Sequence, residues 1–154
     1  MVWVGGSPRE LIPEDPLEKL DATWSADGTR IAFGGAPADP NSTIRVVNVS
    51  THEVSTLPNS MGLFSPRWSP DGRYLIAMSF ASGSLMLFDF ESQKWEEIAK
   101  ISMGFPNWSK DGDYVYFLHE ADHPSGMRVS GDYGALVLTY HLGSSLAIPM
   151  GLAD

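Results

Sequence analysis

The sequence predicts an all-β β-propeller with about three full four-stranded blades and part of another. Two observations lead to this fold. One short string, Trp-Ser-x-Asp-Gly, occurs three times in the 154 residues, starting at positions 24, 68 and 108. An interval of about 40 residues is the length of one propeller blade, in which four strands form a sheet. In addition, no stretch of the chain shows helical periodicity, so each interval is expected to hold strands alone.

Each copy of the string predicts the turn between the first two strands of a blade. Gly takes the positive φ that closes an Asp-Gly turn, and Asp tolerates the neighbouring position. The Trp then ends one strand, and an apolar run forms the next. We expect the three Trp side chains to be largely buried in equivalent places. The structural residues of the repeat are Trp24, Asp27, Gly28, Trp68, Asp71, Gly72, Trp108, Asp111 and Gly112.

The strands are expected from apolar runs and from alternation. Runs typical of strands buried on both faces follow the turns, at 30–33, 74–78 and 114–118. More polar, alternating segments predict the outer strands, at 43–49, 53–57, 85–90 and 94–98. Residues 1–13 fit the end of a preceding blade, with its last strand at 9–12.

These elements form one repeat domain, divided as a preceding-blade tail at 1–16, blades at 17–60, 61–100 and 101–132, and an atypical apolar tail at 133–154. The third blade is expected to be incomplete. Residues 133–153 carry no Asp, Glu, Lys or Arg. A pair of buried or swapped strands is the interpretation we favour for them, and a membrane span and a poorly ordered tail are the alternatives.

The repeat resembles the WD-repeat-like blade of TolB-type propellers, whose signature is Trp-Ser-Pro-Asp-Gly followed by a basic residue and an apolar strand. The second copy, from Pro66 to Ile76, matches most closely, whereas Ala26 and Lys110 replace the proline in the other two. The resemblance covers about residues 21–130 and implies a fold rather than an activity. Rings of this family more commonly have six blades, so the resemblance implies about half of a ring. Closure of the last blade by the other terminus would instead give about four blades.

Composition excludes several classes of function. The net charge of −9 argues against binding to nucleic acids and anionic membranes, because such binding depends on Lys and Arg neutralising phosphates. The absence of cysteine removes disulfides, thiolate zinc sites and cysteine nucleophiles. The N-terminus lacks the basic and apolar segments of a secretory signal. The chain as written is therefore expected in the cytoplasm, and a periplasmic location is the alternative if it is a fragment.

One string matches a catalytic motif, because His119-Glu120-Ala-Asp-His123 has the form His-Glu-x-x-His. In zinc proteases this motif works on a helix, where residues four apart place both imidazoles on one side. Here it follows a predicted strand and precedes Pro124, which a helix interior does not tolerate. A solvated loop is the interpretation we favour, with a zinc-protease site and a weak loop metal site as alternatives.

Other catalytic chemistry has no support in the residues. Turn formation explains Asp27, Asp71 and Asp111, and each would need several more oxygen ligands to hold calcium. The Gly-x-Ser-x-Gly elbow of serine hydrolases does not occur. The sequence therefore predicts no enzyme activity, no cofactor and no metal site.

The remaining candidates for function are the loops that a propeller gathers on one face around its channel, expected at 34–42, 59–65, 80–84, 101–106 and 119–126. Two of them share Ser-Met-Gly, at 60–62 and 102–104, each followed by a Phe. Flexible Met and rigid aromatic side chains suit partner recognition, and packing within the channel is the alternative. The predicted binding residues are Met61, Phe64, Met103, Phe105, His119 and His123.

We therefore expect a non-catalytic module that binds a protein or peptide. The family resemblance suggests the sensory or scaffolding part of a larger bacterial protein. An accessory propeller of a serine exopeptidase or other hydrolase and a TolB-like periplasmic translocation component are the alternatives. Because an incomplete ring leaves blade edges open, the chain is also expected to associate with another copy of itself.

Overall fold

Three antiparallel sheets of four strands make up the part of the molecule that the structure describes. The computed structural model describes residues 10–100, 103–119, 136–141 and 148–149, and every regular element in those residues is a strand. Strands that follow one another in the sequence are neighbours in the sheet. This repeated meander confirms the predicted all-β blade architecture. In the same residues, no helix is long and apolar enough to cross a membrane.

The twelve strands fall into three blades that agree closely with the predicted segments. The first blade consists of β1 (Leu20–Trp24), β2 (Arg30–Gly34), β3 (Arg45–Asn48) and β4 (Val54–Thr56). The second consists of β5 (Leu63–Trp68), β6 (Tyr74–Ser79), β7 (Ser84–Asp89) and β8 (Lys94–Lys100). The third consists of β9 (Met103–Trp108), β10 (Tyr114–His119), β11 (Leu136–His141) and β12 (Ile148–Pro149). Each first strand ends on its repeat Trp, as predicted.

The third blade extends further than the sequence predicts. The predicted end of this blade at residue 132 is wrong, since β11 and β12 lie beyond that point and supply its third and fourth strands. They are also the pair of strands that we favoured for the apolar tail. β11 pairs with β10 along its whole length, from Tyr114↔His141 to His119↔Leu136. The predicted boundary differs from the structure because residues 120–135 separate β10 from β11, a much longer connection than those in the first two blades.

The Trp-Ser-x-Asp-Gly strings form the predicted tight turns. Their glycines have φ of +68°, +77° and +82°, as this turn requires. The serine, whose role the sequence did not reveal, joins the turn to the second strand. The buried Ser69 hydroxyl donates to Asp71 Oδ1 at 2.6 Å and accepts from the Tyr74 N–H at 2.8 Å. Ser25 and Ser109 make the same two contacts in their turns.

The hydrophobic core lies between neighbouring blades. Ile44 and Val46 of the first blade share a buried cluster with Leu75 of the second. Ile76, the next residue of β6, belongs instead to the cluster that contains Val115 of the third blade. Successive side chains of a strand point to opposite faces. β6 is therefore buried on both sides, as its apolar run predicts.

The repeat tryptophans differ in exposure although their register is the same. Each pairs with the second residue of the strand that follows its turn. Trp68 and Trp108 are only 6% and 9% exposed, but Trp24 is 58% exposed. The expectation of three buried tryptophans was therefore wrong for Trp24. Trp68 and Trp108 are covered by the blade that precedes them, and none of the described blades precedes Trp24.

Residues 10–19, which we call the strap, cross the face of the first blade that is turned away from the second. Ile12 is 9% exposed and packs with Phe33 and Val47. Residues 10–12 do not form the strand that the sequence predicts at 9–12. Side-chain burial, rather than strand pairing, holds this part of the strap.

A buried ion pair also attaches the strap to the first blade. Asp15 contacts Arg45 of β3, and both side chains are largely buried. The Arg45 guanidinium also donates to the Glu18 carbonyl at 2.6 Å and lies 4.7 Å from the centre of the Phe33 ring. The charge of Arg45 is therefore balanced by the strap and by an aromatic face.

Candidate interaction site on the loop face

Two kinds of connection lie at one end of the blades, opposite the Asp-Gly turns. Because neighbouring strands run in opposite directions, the connections within blades after the second strand and the connections between blades leave from the same end. We call this end the loop face and define it by residues 35–44, 57–62 and 80–83. These residues coincide largely with three of the predicted loops.

Ser60 anchors the connection between the first two blades. It is 1% exposed, and its hydroxyl donates to the Leu57 carbonyl at 2.8 Å and accepts from the Ile44 N–H at 3.1 Å. The Leu57 N–H donates in turn to the Ile44 carbonyl at 2.8 Å. The chain is therefore fixed to the start of β3 just before it reaches Met61.

Gly62 completes the anchor on the other side of Met61. Its φ of +76° lies in the left-handed region that favours glycine. The Gly62 N–H donates to the Ser42 carbonyl at 2.7 Å, and the buried Ser42 hydroxyl donates to the Leu63 carbonyl at 3.1 Å. The Ser-Met-Gly sequence therefore combines a buried serine with a glycine turn. Between them Met61 is 71% exposed.

Phe80 lies beside this connection. Leu63 pairs with Ser79 across β5 and β6, so Gly62 and Phe80 are the next residues at the same end of the second blade. Phe80 is 67% exposed. The loop face therefore presents two large exposed apolar side chains at neighbouring positions. The sequence predicted this loop but did not include Phe80 among the binding residues.

Other predicted binding residues lie in strands rather than in loops. Phe64 is part of β5, is half-buried, and packs against the cluster between the second and third blades. Met103 and Phe105 are part of β9, and Met103 pairs with His119 of β10. Met61 stands seven residues before its repeat Trp and Met103 only five, so Met61 precedes β5 whereas Met103 already belongs to β9.

The His-Glu-x-x-His string begins in a strand, since His119 is the last residue of β10. His119 itself is therefore not on the helix that a zinc-protease motif needs. Glu120 and His123 lie outside the described residues. Within the described ones, no group of three or more His, Asp or Glu side chains is placed to hold a metal ion.

The aspartates of the turns accept hydrogen bonds from residues of their own turns. The Ser25 hydroxyl, together with the N–H and hydroxyl of Thr29, donates to Asp27 and lowers the pKa of this carboxyl to about 2. The Ser109 hydroxyl and the Asp113 N–H lower the pKa of Asp111 in the same way. Hydrogen bonds to the ionised form explain both shifts.

A cleft of about 700 Å³ opens between the outer parts of the first two blades. One wall holds Arg30, whose guanidinium lies 4.9 Å from the centre of the Trp68 ring and 5.4 Å from that of Phe90. Glu53 and Gln93 also line the cleft. Arg30 thus takes part in packing between blades, and the mixed lining does not favour one class of ligand.

No protein-family model matches the chain. The uncharacterized peptidase YuxL of Bacillus subtilis (strain 168) is 28% identical in an alignment of 122 residues that covers 70% of this chain and 19% of that protein. The chain therefore corresponds to a small part of this relative.

Solved structures are similar over most of the chain. TolB from Acinetobacter baumannii matches with a TM-score of 0.62 and 23% identity, over 86% of this chain and 33% of TolB. The acylaminoacyl peptidase of Pyrococcus horikoshii matches with a TM-score of 0.64 and 12% identity, over 85% of this chain and 24% of the peptidase. The chain thus spans a third or less of these proteins. Together with the three repeated blades, this likeness shows that the chain has the fold of a TolB-type β-propeller.

Proposed function

We propose that the chain is a non-catalytic module that binds a peptide or a loop of a partner protein on its loop face. The observation that carries this proposal is the exposure of Met61 and Phe80 at neighbouring positions. Contiguous exposed apolar side chains mark interaction surfaces. A flexible Met beside a rigid aromatic ring can adapt to a partner while still burying a large area.

The connections around Met61 support this proposal because they are rigid before any partner arrives. Ser42 and Ser60 are both buried and each bonds the backbone of a neighbouring connection. A preorganised surface loses less conformational entropy on binding than a mobile loop. The net charge of −9 further favours a partner with basic residues around its apolar contact.

An accessory propeller of a peptidase is the second candidate. The likeness to YuxL supports it, since that relative is described as a peptidase. Sequence adjoining this chain in its parent protein would distinguish the two candidates. A nucleophile elbow downstream would favour the peptidase, whereas a winged-helix or kinase segment would favour a sensory or scaffolding protein.

Panning a random peptide library displayed on phage against the purified chain tests the proposal. We expect enriched peptides whose affinity falls at least about tenfold when Met61→Asp and Phe80→Asp are combined. Val54→Asp is the matched control, because Val54 is an exposed apolar residue on β4, outside the loop face. No enrichment, or peptides that bind the double variant as tightly as the original chain, would contradict the proposal.

A further inference from the structure

Contacts between blades follow a rule that occurs twice in the molecule. The main-chain N–H of Trp68 donates to the Thr23 hydroxyl at 3.4 Å. The indole N–H of Trp108 donates to the Arg67 carbonyl at 3.0 Å. Thr23 and Arg67 each stand immediately before the repeat Trp of their own blade. The residue before one Trp therefore contacts the Trp of the next blade.

A second position of each blade packs on the tryptophan of the next blade or on the cluster that contains it. Arg30, the first residue of β2, lies over the Trp68 ring at 4.9 Å. Tyr74, the first residue of β6, packs against the cluster that contains Trp108. We call these two positions, before the Trp and at the start of the second strand, the covering pair.

The two ends of the molecule are complementary under this rule. At one end Trp24, which the rule would place under a covering pair, is 58% exposed. At the other end the third blade has its own covering pair, Asn107 and Tyr114, and both residues are exposed. One end of the molecule therefore exposes Trp24. The opposite end exposes Asn107 and Tyr114, at the two positions that in the other blades lie against the next blade.

The strap leaves room for a blade in front of Trp24. Ile12 precedes Trp24 by twelve residues, and Leu57 precedes Trp68 by eleven. Both are buried, and Leu57 lies in the cluster between the first two blades. The strap is therefore the counterpart of connection 57–62. That connection lies between two blades that still pack on each other, so the strap does not prevent a blade from packing on the first one.

We propose that the third blade of a second copy of this chain docks on the face of the first blade around Trp24, head to tail. Asn107 and Tyr114 of one copy take the places at Trp24 of the other that Thr23, beside the Trp68 main chain, and Arg30, over the Trp68 ring, take at Trp68. The contact is between blade faces, and so differs from pairing through open strand edges. Because it joins different surfaces, it forms a closed ring where the rotation between copies closes and a longer assembly where it does not.

Sedimentation of the 154-residue chain over a range of concentrations, with paired variants, tests the proposal. We expect reversible association, and we expect Trp24→Asp and Tyr114→Asp each to raise the dissociation constant at least about 30-fold. Each variant keeps one intact end, so an equal mixture of the two should form heterodimers and nothing larger. Asn107→Arg is a second variant at the Tyr114 end, in case Tyr114→Asp disturbs β10.

Two control variants separate this contact from the other surfaces. Met61→Asp with Phe80→Asp alters the loop face, and Val54→Asp alters the open edge of β4. Both should associate like the original chain. A strictly monomeric chain at high concentration would overturn the proposal, as would association that survives Trp24→Asp. A mixture of the two variants that stays monomeric would also overturn it, and loss of association in Val54→Asp would show edge pairing instead.

Discussion

The serine of each repeat string joins its turn to the blade. In all three turns the hydroxyl is in contact with the aspartate and with the backbone N–H five residues after the serine. A carboxylate that accepts several hydrogen bonds is stabilised in its ionised form. In the turns of Asp27 and Asp111, whose pKa values are lowered, the serine therefore couples protonation of the carboxyl to the start of the second strand.

Asp27 is expected to titrate with a midpoint of about 2 in the folded protein, against an ordinary value of 3.8. A carboxyl whose folded pKa is lowered stabilises the protein above its unfolded pKa, and this contribution is lost as the pH falls through about 2. NMR titration of the side-chain carboxyl carbon measures the midpoint. Ser25→Ala removes the largest cause and should raise it, while Ser82→Ala, in the second blade, should not. A midpoint at or above 3.8 in the original chain would contradict this account.

The loop face shows which site residues a sequence can reveal. Met61 was predicted because Ser-Met-Gly is repeated, and it is exposed. Phe64 was assigned to the same loop, but β5 has already begun and its side chain faces the next blade. Phe80 was missed, although it stands one residue beyond the end of β6. A shift of one or two residues at a strand end decides exposure, and residue types alone do not define that end.

At the scale of elements, the buried ion pair is one of the two contacts that hold the strap on the first blade. Arg45 is 5% exposed, and its guanidinium contacts the strap through Asp15 and the Glu18 carbonyl. Breaking a buried ion pair from one side leaves an uncompensated charge, which costs much more than the loss of an exposed pair.

Asp15→Ala is therefore expected to lower the free energy of unfolding by about 3 kcal/mol. Glu18→Ala is the matched control, since only the backbone carbonyl of Glu18 contacts Arg45, and it should change stability by less than about 0.5 kcal/mol. Urea unfolding followed by circular dichroism gives both values. Adding Arg45→Met to Asp15→Ala should recover part of the loss. Equal stability of the two single variants would show that the ion pair does not hold the strap.

At the scale of the whole molecule, the repeat string predicted most of the fold but not the last two strands of the third blade. Apolar runs and Asp-Gly turns gave ten strands of the three blades, because these signals are local. A pair of strands was favoured for residues 133–153, but their place in the third blade was not predicted, because residues 120–135 separate β11 from its partner β10 and pairing over such a separation leaves no local pattern. The exposure of Trp24 was missed for a related reason, since burial of a repeat residue depends on the blade before it.

Stacking of blades predicts unequal effects for the same substitution in different blades. Trp68→Ala should cost about 3 to 5 kcal/mol, because it leaves a cavity between the first two blades. Trp24→Ala should cost less than about 1 kcal/mol, because its ring is mostly in solvent already. Chemical unfolding at a concentration where the chain is monomeric compares the two. Equal losses would mean that Trp24 is covered in solution.

The exposure of Trp24 also gives this protein a built-in optical reporter. Trp68 and Trp108 are buried, and the half-buried Trp95 donates its indole N–H to the Pro58 carbonyl at 2.8 Å. Among these described tryptophans, Trp24 alone has an indole largely surrounded by water. Its fluorescence should lie to the red of the others and be quenched first by acrylamide. In a Trp3→Phe variant, which removes the tryptophan that lies outside the described residues, light from this end of the molecule can be followed without attaching a dye. A loss of quenching would then signal that this end has been covered.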